Sequence, residues 1–201
     1  HQFEELRLKL SQAVLQMGLQ RFVIELIAPL INLVGESWAA GHLAVFEEHL
    51  FSESVQVVLR NAISHIPQNP AQSSARPRIV LTTFPQERHG LGLLMAETLF
   101  SLEGCYCISL GVQTPIMEII DAAKAKTADI VALSFSCAMN PRQTLDGLNE
   151  LRSRLPASVE IWAGGECAVL SKRPPDKIHA MSLLDISKAL AEWRERHKIE
   201  S

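Results

Sequence analysis

Along the first 66 residues, apolar positions recur at intervals of three and four and never alternate, so this stretch is predicted to be helical throughout. Phe3, Leu6, Leu10, Ala13, Val14 and Met17 form one stripe, which Gly18 interrupts. A second helix is expected over Leu19–Ala28. A third is expected over Pro29–Ala40, because a proline in a first turn gives up an N–H that would have no intrahelical partner. Leu30, Val34 and Trp38 then share one face. Gly41 closes that helix, and a long fourth is expected over Leu43–Ser64 with His49 beside Val45 and Phe46 on its apolar face. Four helices joined by short loops predict a small antiparallel bundle.

Beyond Pro67–Arg78 (PQNPAQSSARPR), a proline- and serine-rich stretch without apolar periodicity, the rhythm changes. Short β-prone runs at Arg78–Thr83, Cys105–Leu110, Ile130–Ser134 and Val159–Ala163 alternate with helical patterns at Leu91–Leu102, Pro115–Lys126 and Arg142–Leu155. A fifth strand near His179–Met181 and a helix over Leu184–His197 close the chain. Strands alternating with helices predict an α/β fold with a parallel, Rossmann-like (flavodoxin-like) sheet covered on both faces. The expected organisation is therefore a helical bundle at 1–66, a linker at 67–77 and an α/β domain at 78–201. Ligands of such sheets sit beyond the carboxyl ends of the strands, which directs attention to the loops after Thr83, Ser134 and Ala163.

Composition narrows the class. Of 201 residues, 47% are apolar and 20% charged, which excludes a disordered or collagenous chain. Nineteen basic and 22 acidic residues give a net charge of −3, so this stretch by itself offers no general attraction for nucleic acid. No apolar run is expected to approach the roughly 18 residues of a membrane span. There is no secretory signal pattern, and the four cysteines form no disulfide framework in a chain of this size. The expectation is a soluble, cytoplasmic protein. It begins with His1 rather than Met, so it is also expected to be part of something longer.

His89 lies in the loop predicted after the first strand, two residues beyond Glu87. A neutral imidazole can ligate a metal through one nitrogen while a carboxylate holds the other, although an isolated loop histidine is more commonly just solvated. The context is more specific. Glu87-x-His89-x-x-Gly92 is followed after 41 residues by Ser134-Phe135-Ser136, and after 27 more by Gly164-Gly165. Three elements at this spacing, each at a predicted strand end, resemble the cobalamin-binding domain signature Asp-x-His-x-x-Gly, Ser-x-Leu, Gly-Gly. Glu87 stands in place of the usual Asp and Ser136 in place of the usual Leu. The resemblance implies that His89 is the lower axial ligand of cobalt, with Glu87 orienting it. It also implies that Gly92, Ser134, Gly164 and Gly165 accommodate the cofactor's nucleotide tail, with Ser134 bonding its base.

In the helical part, Trp38 is followed by nine residues and then Glu48-His49. Read singly, Trp38 is a core aromatic and Glu48 a solvated charge. Together they resemble the helical cap of cobalamin-dependent, light-responsive regulators related to the MerR type, the CarH and LitR repressors among them. In that family the bundle covers the upper face of adenosylcobalamin. The resemblance thus implies that Trp38 lies over the adenosyl group, with Glu48 and His49 near it. Some members carry a histidine directly after the tryptophan, where this chain has Ala39; His42 and His49 are the candidates for an upper ligand once the adenosyl group is lost.

The implied function is a non-enzymatic sensory module of a transcriptional repressor. Light would cleave the cobalt–carbon bond, changing the state of a homo-oligomer such as a tetramer. DNA would be held only by a basic domain expected ahead of His1, and no membrane is involved. The alternative is a corrinoid carrier that presents a methyl group to a methyltransferase; carriers usually read Asp-x-His-Asp-Ile-Gly and lack the Trp and Glu-His cap. A third reading is a flavodoxin-like domain that no longer binds the cofactor. Cys105 and Cys107 have the wrong spacing for zinc. Cys137 and Cys167 fall near the ligand-facing ends without a paired base, and His65, His179 and His197 are expected to be solvated or loop residues.

Overall fold

Gly18, at φ 80°, separates α1 (Gln2–Met17) from the helix that follows. The computed structural model describes residues 2–67, 76–172 and 175–198. The chain folds as two compact units, His1–Pro67 and Gln68–Ser201. Most of the stretch expected to act as a linker, 68–75, lies outside the described residues.

In the first unit, the helices expected over Leu19–Ala28 and Pro29–Ala40 are one continuous helix, α2 (Leu19–Ala39). Pro29 does not break it, because a π-helical turn over Phe22–Ile27 comes just before. That turn ends with the Ala28 N–H bonded to the Val23 carbonyl, a wider register than the α-helix. It moves aside the carbonyl that a proline ring would otherwise strike. Three helical rods therefore replace the four expected. Unbroken, α2 spans 21 residues with a mean hydropathy of 1.4 in its most apolar window, so it is long and apolar enough to cross a membrane. This corrects the expectation that no such run exists. Within the unit, α2 packs through Phe22, Val23 and Ile27, all fully buried.

Gly41, at φ 74°, ends α2 by donating to the Trp38 carbonyl while His42 N–H reaches back to the Ser37 carbonyl, a left-handed cap. α3 (Val45–Ser64) follows, its start held by the Glu47 carboxylate accepting from the Ala44 N–H. The face of α3 turned to the core is Phe51, Val55, Val58 and Leu59. Val45, Phe46 and His49, expected on the apolar core face, lie in the exposed first turns instead. The reason is spacing: 51, 55, 58 and 59 make the buried stripe, and burying each large aliphatic there contributes about 1.5–3 kcal/mol.

The second unit is a five-stranded parallel sheet in the order β2-β1-β3-β4-β5, formed by β1 (Arg78–Thr82), β2 (Tyr106–Gly111), β3 (Ile130–Phe135), β4 (Glu160–Gly165) and β5 (Ile178–Ala180). Helices α4 (Leu91–Leu102), α5 (Ile116–Ala125), α6 (Pro141–Arg154), α7 (Ala168–Lys172) and α8 (Ile186–Arg196) complete it. The short α7 has no counterpart among the expected elements. This is the expected α/β, Rossmann-like sheet in flavodoxin-like order, following a helical region. β1 and β3 read as nearly continuous buried runs, as central parallel strands should. Their side chains, with Phe84 and Phe135 edge-to-face at 5.1 Å, build the core on one face of the sheet. Gly147 lets α6 approach: a Cβ there would stand 2.6 Å from the Phe84 ring. The strand order reverses between β1 and β3, so the loops after these two strands emerge side by side at the carboxyl edge.

Candidate functional site

The loop after β1 begins with a tight turn at Phe84-Pro85-Gln86-Glu87, closed by the Glu87 N–H on the Phe84 carbonyl at 2.9 Å. Proline at the second position favours this turn because its fixed φ suits it. The turn sends the Glu87 side chain inward, where only 1% of it is exposed, and leaves His89 58% exposed. One Glu87 oxygen accepts from the His89 N–H at 2.9 Å and lies 2.7 Å from His89 Nδ1. The other accepts from Ser136, through its N–H at 2.6 Å and its hydroxyl at 2.7 Å.

Burial by itself would raise the Glu87 carboxyl, but these hydrogen bonds from His89 and Ser136 outweigh it and hold the group below the ordinary carboxylate range. An ionised carboxylate can only accept, so the proton between it and His89 sits on Nδ1. That leaves the Nε2 lone pair of His89 available, on a ring whose orientation is fixed. Nε2 has no hydrogen-bond partner among the described residues.

Glu87 was legible as the carboxylate beside His89, whereas Ser136 was legible only as a departure from the signature. The structure shows that the two departures meet. The glutamate arm, one methylene longer than aspartate, reaches across to the first residue after β3, where a serine supplies two donors. The signal that could have found this pairing is their occurrence together at the two adjacent strand ends.

Gly92 opens α4 against Ser134, where a Cβ would stand 2.7 Å from the serine oxygen. The Ser134 hydroxyl has no hydrogen-bond partner among the described residues. Gly165 has φ 110° and lies so close to the Phe135 carbonyl that a Cβ would be 2.1 Å from it. Gly164 is also tight: a Cβ there would stand 3.1 Å from the Met181 carbonyl. Close approach at these two glycines is thus to the chain's own backbone, at the strand ends where the signature places them. An imidazole of fixed tautomer with an open Nε2 on the loop after β1, and an unpartnered hydroxyl at the end of β3 against Gly92, fit a cobalt ligand and a nucleotide tail.

In the first unit, Trp38 is the penultimate residue of α2 and is 49% exposed. Glu48 accepts from the Ser52 hydroxyl at 2.6 Å and lies 2.8 Å from Nδ1 of His49, whose side chain is 70% exposed. The structure therefore pairs Glu48 with His49. His42 lies exposed in the turn after α2. Elsewhere, Cys105 and Cys167 are buried, Cys107 is half-buried and Cys137 is exposed. No cluster of three or more metal-binding side chains occurs among the described residues. His179 lies beside Glu160, and His197 stacks on Trp193 at 4.1 Å.

The class these features define is a helical unit followed by a Rossmann-like sheet whose switch-point loop presents a histidine. Comparison with known proteins sharpens this. A family model described as a B12 binding domain matches residues 3–62, which lie within the helical unit. The HTH-type transcriptional repressor CarH of Myxococcus xanthus is 33% identical over 144 residues, covering 72% of this chain and 46% of the repressor. Methionine synthase of Mycobacterium tuberculosis is 24% identical over 148 residues, covering 72% of this chain and 12% of that enzyme. The chain thus spans less than half the length of either relative. Among solved structures, the monomethylamine corrinoid protein of Methanosarcina barkeri has a similar fold, with a TM-score of 0.69 at 15% identity over 91% of this chain and 88% of that one.

Proposed function

We propose that this chain binds cobalamin, with His89 Nε2 as the lower ligand of cobalt, and serves as the sensory, non-enzymatic module of a transcriptional regulator. The observation that carries the binding is the buried Glu87 carboxylate, bonded to both His89 and Ser136 and fixing the imidazole with Nε2 outward. When bound, cobalamin supplies a cobalt centre whose bond to an upper alkyl group can be broken by light. Glu87 holds the proton on Nδ1 and stops the ring from turning; Ser134 offers its free hydroxyl to the nucleotide tail. Trp38 offers a flat apolar surface to an adenosyl group, and the Glu48–His49 pair a polar contact beside it. After loss of that group, His42 and His49 are the chain's candidates for the upper position, since Ala39 cannot ligate.

The regulator reading is supported by the repressor CarH, whose likeness spans 72% of this chain. In this reading the protein is cytoplasmic and assembles with itself, a tetramer being one such assembly. A basic domain outside this sequence holds DNA, and loss of the adenosyl group in light changes the assembly. A ligand can shift an assembly only if it contacts one state differently, and the adenosyl group would supply that difference. A methyl carrier for a methyltransferase is the second reading, favoured by the match to methionine synthase over the same share of the chain.

The test is absorbance and size-exclusion chromatography of the protein with adenosylcobalamin, in the dark and after illumination. A dark oligomer that dissociates in light, with a changed spectrum, is expected. Methyl transfer from bound methylcobalamin to a methyltransferase substrate, with no light-dependent change of size, would favour the carrier.

A further inference from the structure

Thr83 follows the last residue of β1 and is fully buried although polar. Its hydroxyl donates to the Glu87 carbonyl at 2.6 Å and accepts from the Gln113 N–H at 2.8 Å. Its own carbonyl accepts the Thr114 N–H at 3.0 Å. The loop after β2 is thereby tied to the histidine loop, and more contacts repeat the tie. Gln113 Nε2 donates to the Pro85 carbonyl at 3.1 Å. The Thr82 and Thr114 hydroxyls lie 2.7 Å apart. Val112 packs so close to Gly90 that a Cβ there would be 3.1 Å from it. Gln113 holds φ 60°, a backbone region that favours glycine, so the surrounding bonds fix it in a shape it would not adopt freely.

We propose that Thr83 is a positioning residue for the His89 ligand. Its hydroxyl joins the carbonyl of Glu87 to the Gln113 N–H, and so sets the rotation of the backbone that sends Glu87 inward and His89 outward. A hydroxyl is required because one group must donate to a carbonyl and accept from an N–H at a site water does not reach. Valine has the same shape and can do neither. The loop after β2, which carries none of the signature residues, becomes part of the ligand's support. The inference rests on the reading of His89 as the cobalt ligand.

The experiment compares Thr83→Val, Thr83→Ser and His89→Ala with the unaltered chain. Arg88, exposed within the loop, gives a readout that needs no cofactor: its rate of tryptic cleavage in the apo protein relative to other sites. The second readout is the visible spectrum and dissociation constant of bound hydroxocobalamin. For Thr83→Val, cleavage at Arg88 should rise about tenfold, and hydroxocobalamin should bind about tenfold more weakly with loss of the histidine-ligated spectrum. Thr83→Ser should restore both. Wild-type cleavage and spectrum in Thr83→Val overturn the inference. If that variant does not fold, Thr83→Ala, which removes the same hydroxyl without a methyl in its place, decides: faster cleavage at Arg88 supports the tie between loops, and an unchanged rate overturns it. Failure of the ligand reading looks different, with the unaltered chain and His89→Ala giving the same cobalamin spectrum.

Discussion

The Ser136 N–H and hydroxyl both donate to one oxygen of the Glu87 carboxylate, at 2.6 and 2.7 Å, across 49 residues of sequence. Glu87→Gln tests what this arrangement does. The amide keeps the shape but can donate as well as accept, so it no longer forces the proton onto His89 Nδ1. Cobalamin retention should fall by about 10- to 100-fold, the usual cost of losing such a partner of a metal-bound histidine. Dissociation measured by gel filtration of the loaded protein checks it. Ser136→Leu, which restores the residue usual in the signature, removes one charge-assisted hydrogen bond and leaves the N–H. It should lower unfolding stability by about 1.5–3 kcal/mol.

Gly165 should tolerate no side chain. Its φ of 110° is costly for any other residue, and the Phe135 carbonyl occupies the space a Cβ needs. Gly165→Ala is expected to cost about 3 kcal/mol or more in urea unfolding. Gly104→Ala is the control: it has φ 74° with nothing within 4 Å, so only the backbone penalty of about 1–2 kcal/mol applies. Equal losses at the two positions would remove the steric argument.

Glu160 should make the second unit sensitive to acid. Burial would raise its carboxyl, but the Trp162 indole N–H at 2.9 Å, Arg196 at 2.8 Å and nearby His179 hold it below its ordinary value. A carboxyl lowered on folding contributes stability that is present above its unfolded pKa, and that is lost as pH falls through the folded value. The urea midpoint should therefore drop below about pH 4.5, the ordinary value for glutamate, and Glu160→Gln should flatten this limb. A midpoint equally acid-sensitive in the variant would contradict the assignment.

Strand and helix identities in the second unit were legible because burial on both sheet faces leaves continuous apolar runs, and because turns between them are marked by Gly104, Asn140-Pro141 and similar punctuation. Asn140, for example, caps α6 by accepting from the Arg142 and Gln143 N–H groups. The break expected at Pro29 was not there, because a proline stops an α-helix only if the preceding turn keeps its register, and the π turn does not. The apolar side of α3 was misjudged at its first turns, where Val45, Phe46 and His49 fall on a different face of the helix from the stripe of Phe51, Val55, Val58 and Leu59 that packs. At the candidate site, His89 and its carboxylate were readable from spacing. The contributions of Ser136 and Thr83 were not, since both act through hydrogen bonds between loops that only the sheet order brings together.

The cysteines should separate cleanly in reactivity. Burial pushes the Cys107 thiol up to about 12 and raises Cys105 further, and Cys105 and Cys167 are enclosed. Because the thiolate is the reacting form, these should resist iodoacetamide in the native protein. Cys137, exposed directly after Ser136, should react. Mass spectrometry should show one adduct in the native state and four in urea. Native labelling of Cys105 or Cys107 would mean that the strand end at β2 opens.

Trp38→Ala tests the part assigned to the helical unit. The side chain is 49% exposed, so its removal should leave the melting temperature of the apo protein close to unaltered. An indole that stays half exposed in the apo protein has apolar area left to bury against a ligand, at about 25 cal/mol per Å². Only a cobalamin with an adenosyl group offers the matching surface. The variant should therefore lose adenosylcobalamin affinity at least tenfold more than hydroxocobalamin affinity, since His89 and the tail contacts are common to both. Glu48→Gln, which weakens the hold on His49 Nδ1, should act in the same direction by a smaller factor. Isothermal titration with both cobalamins, in the dark, measures the difference. If Trp38→Ala weakens the two equally, the tryptophan serves the fold of the helical unit, and discrimination of the upper group must come from the Glu48–His49 pair.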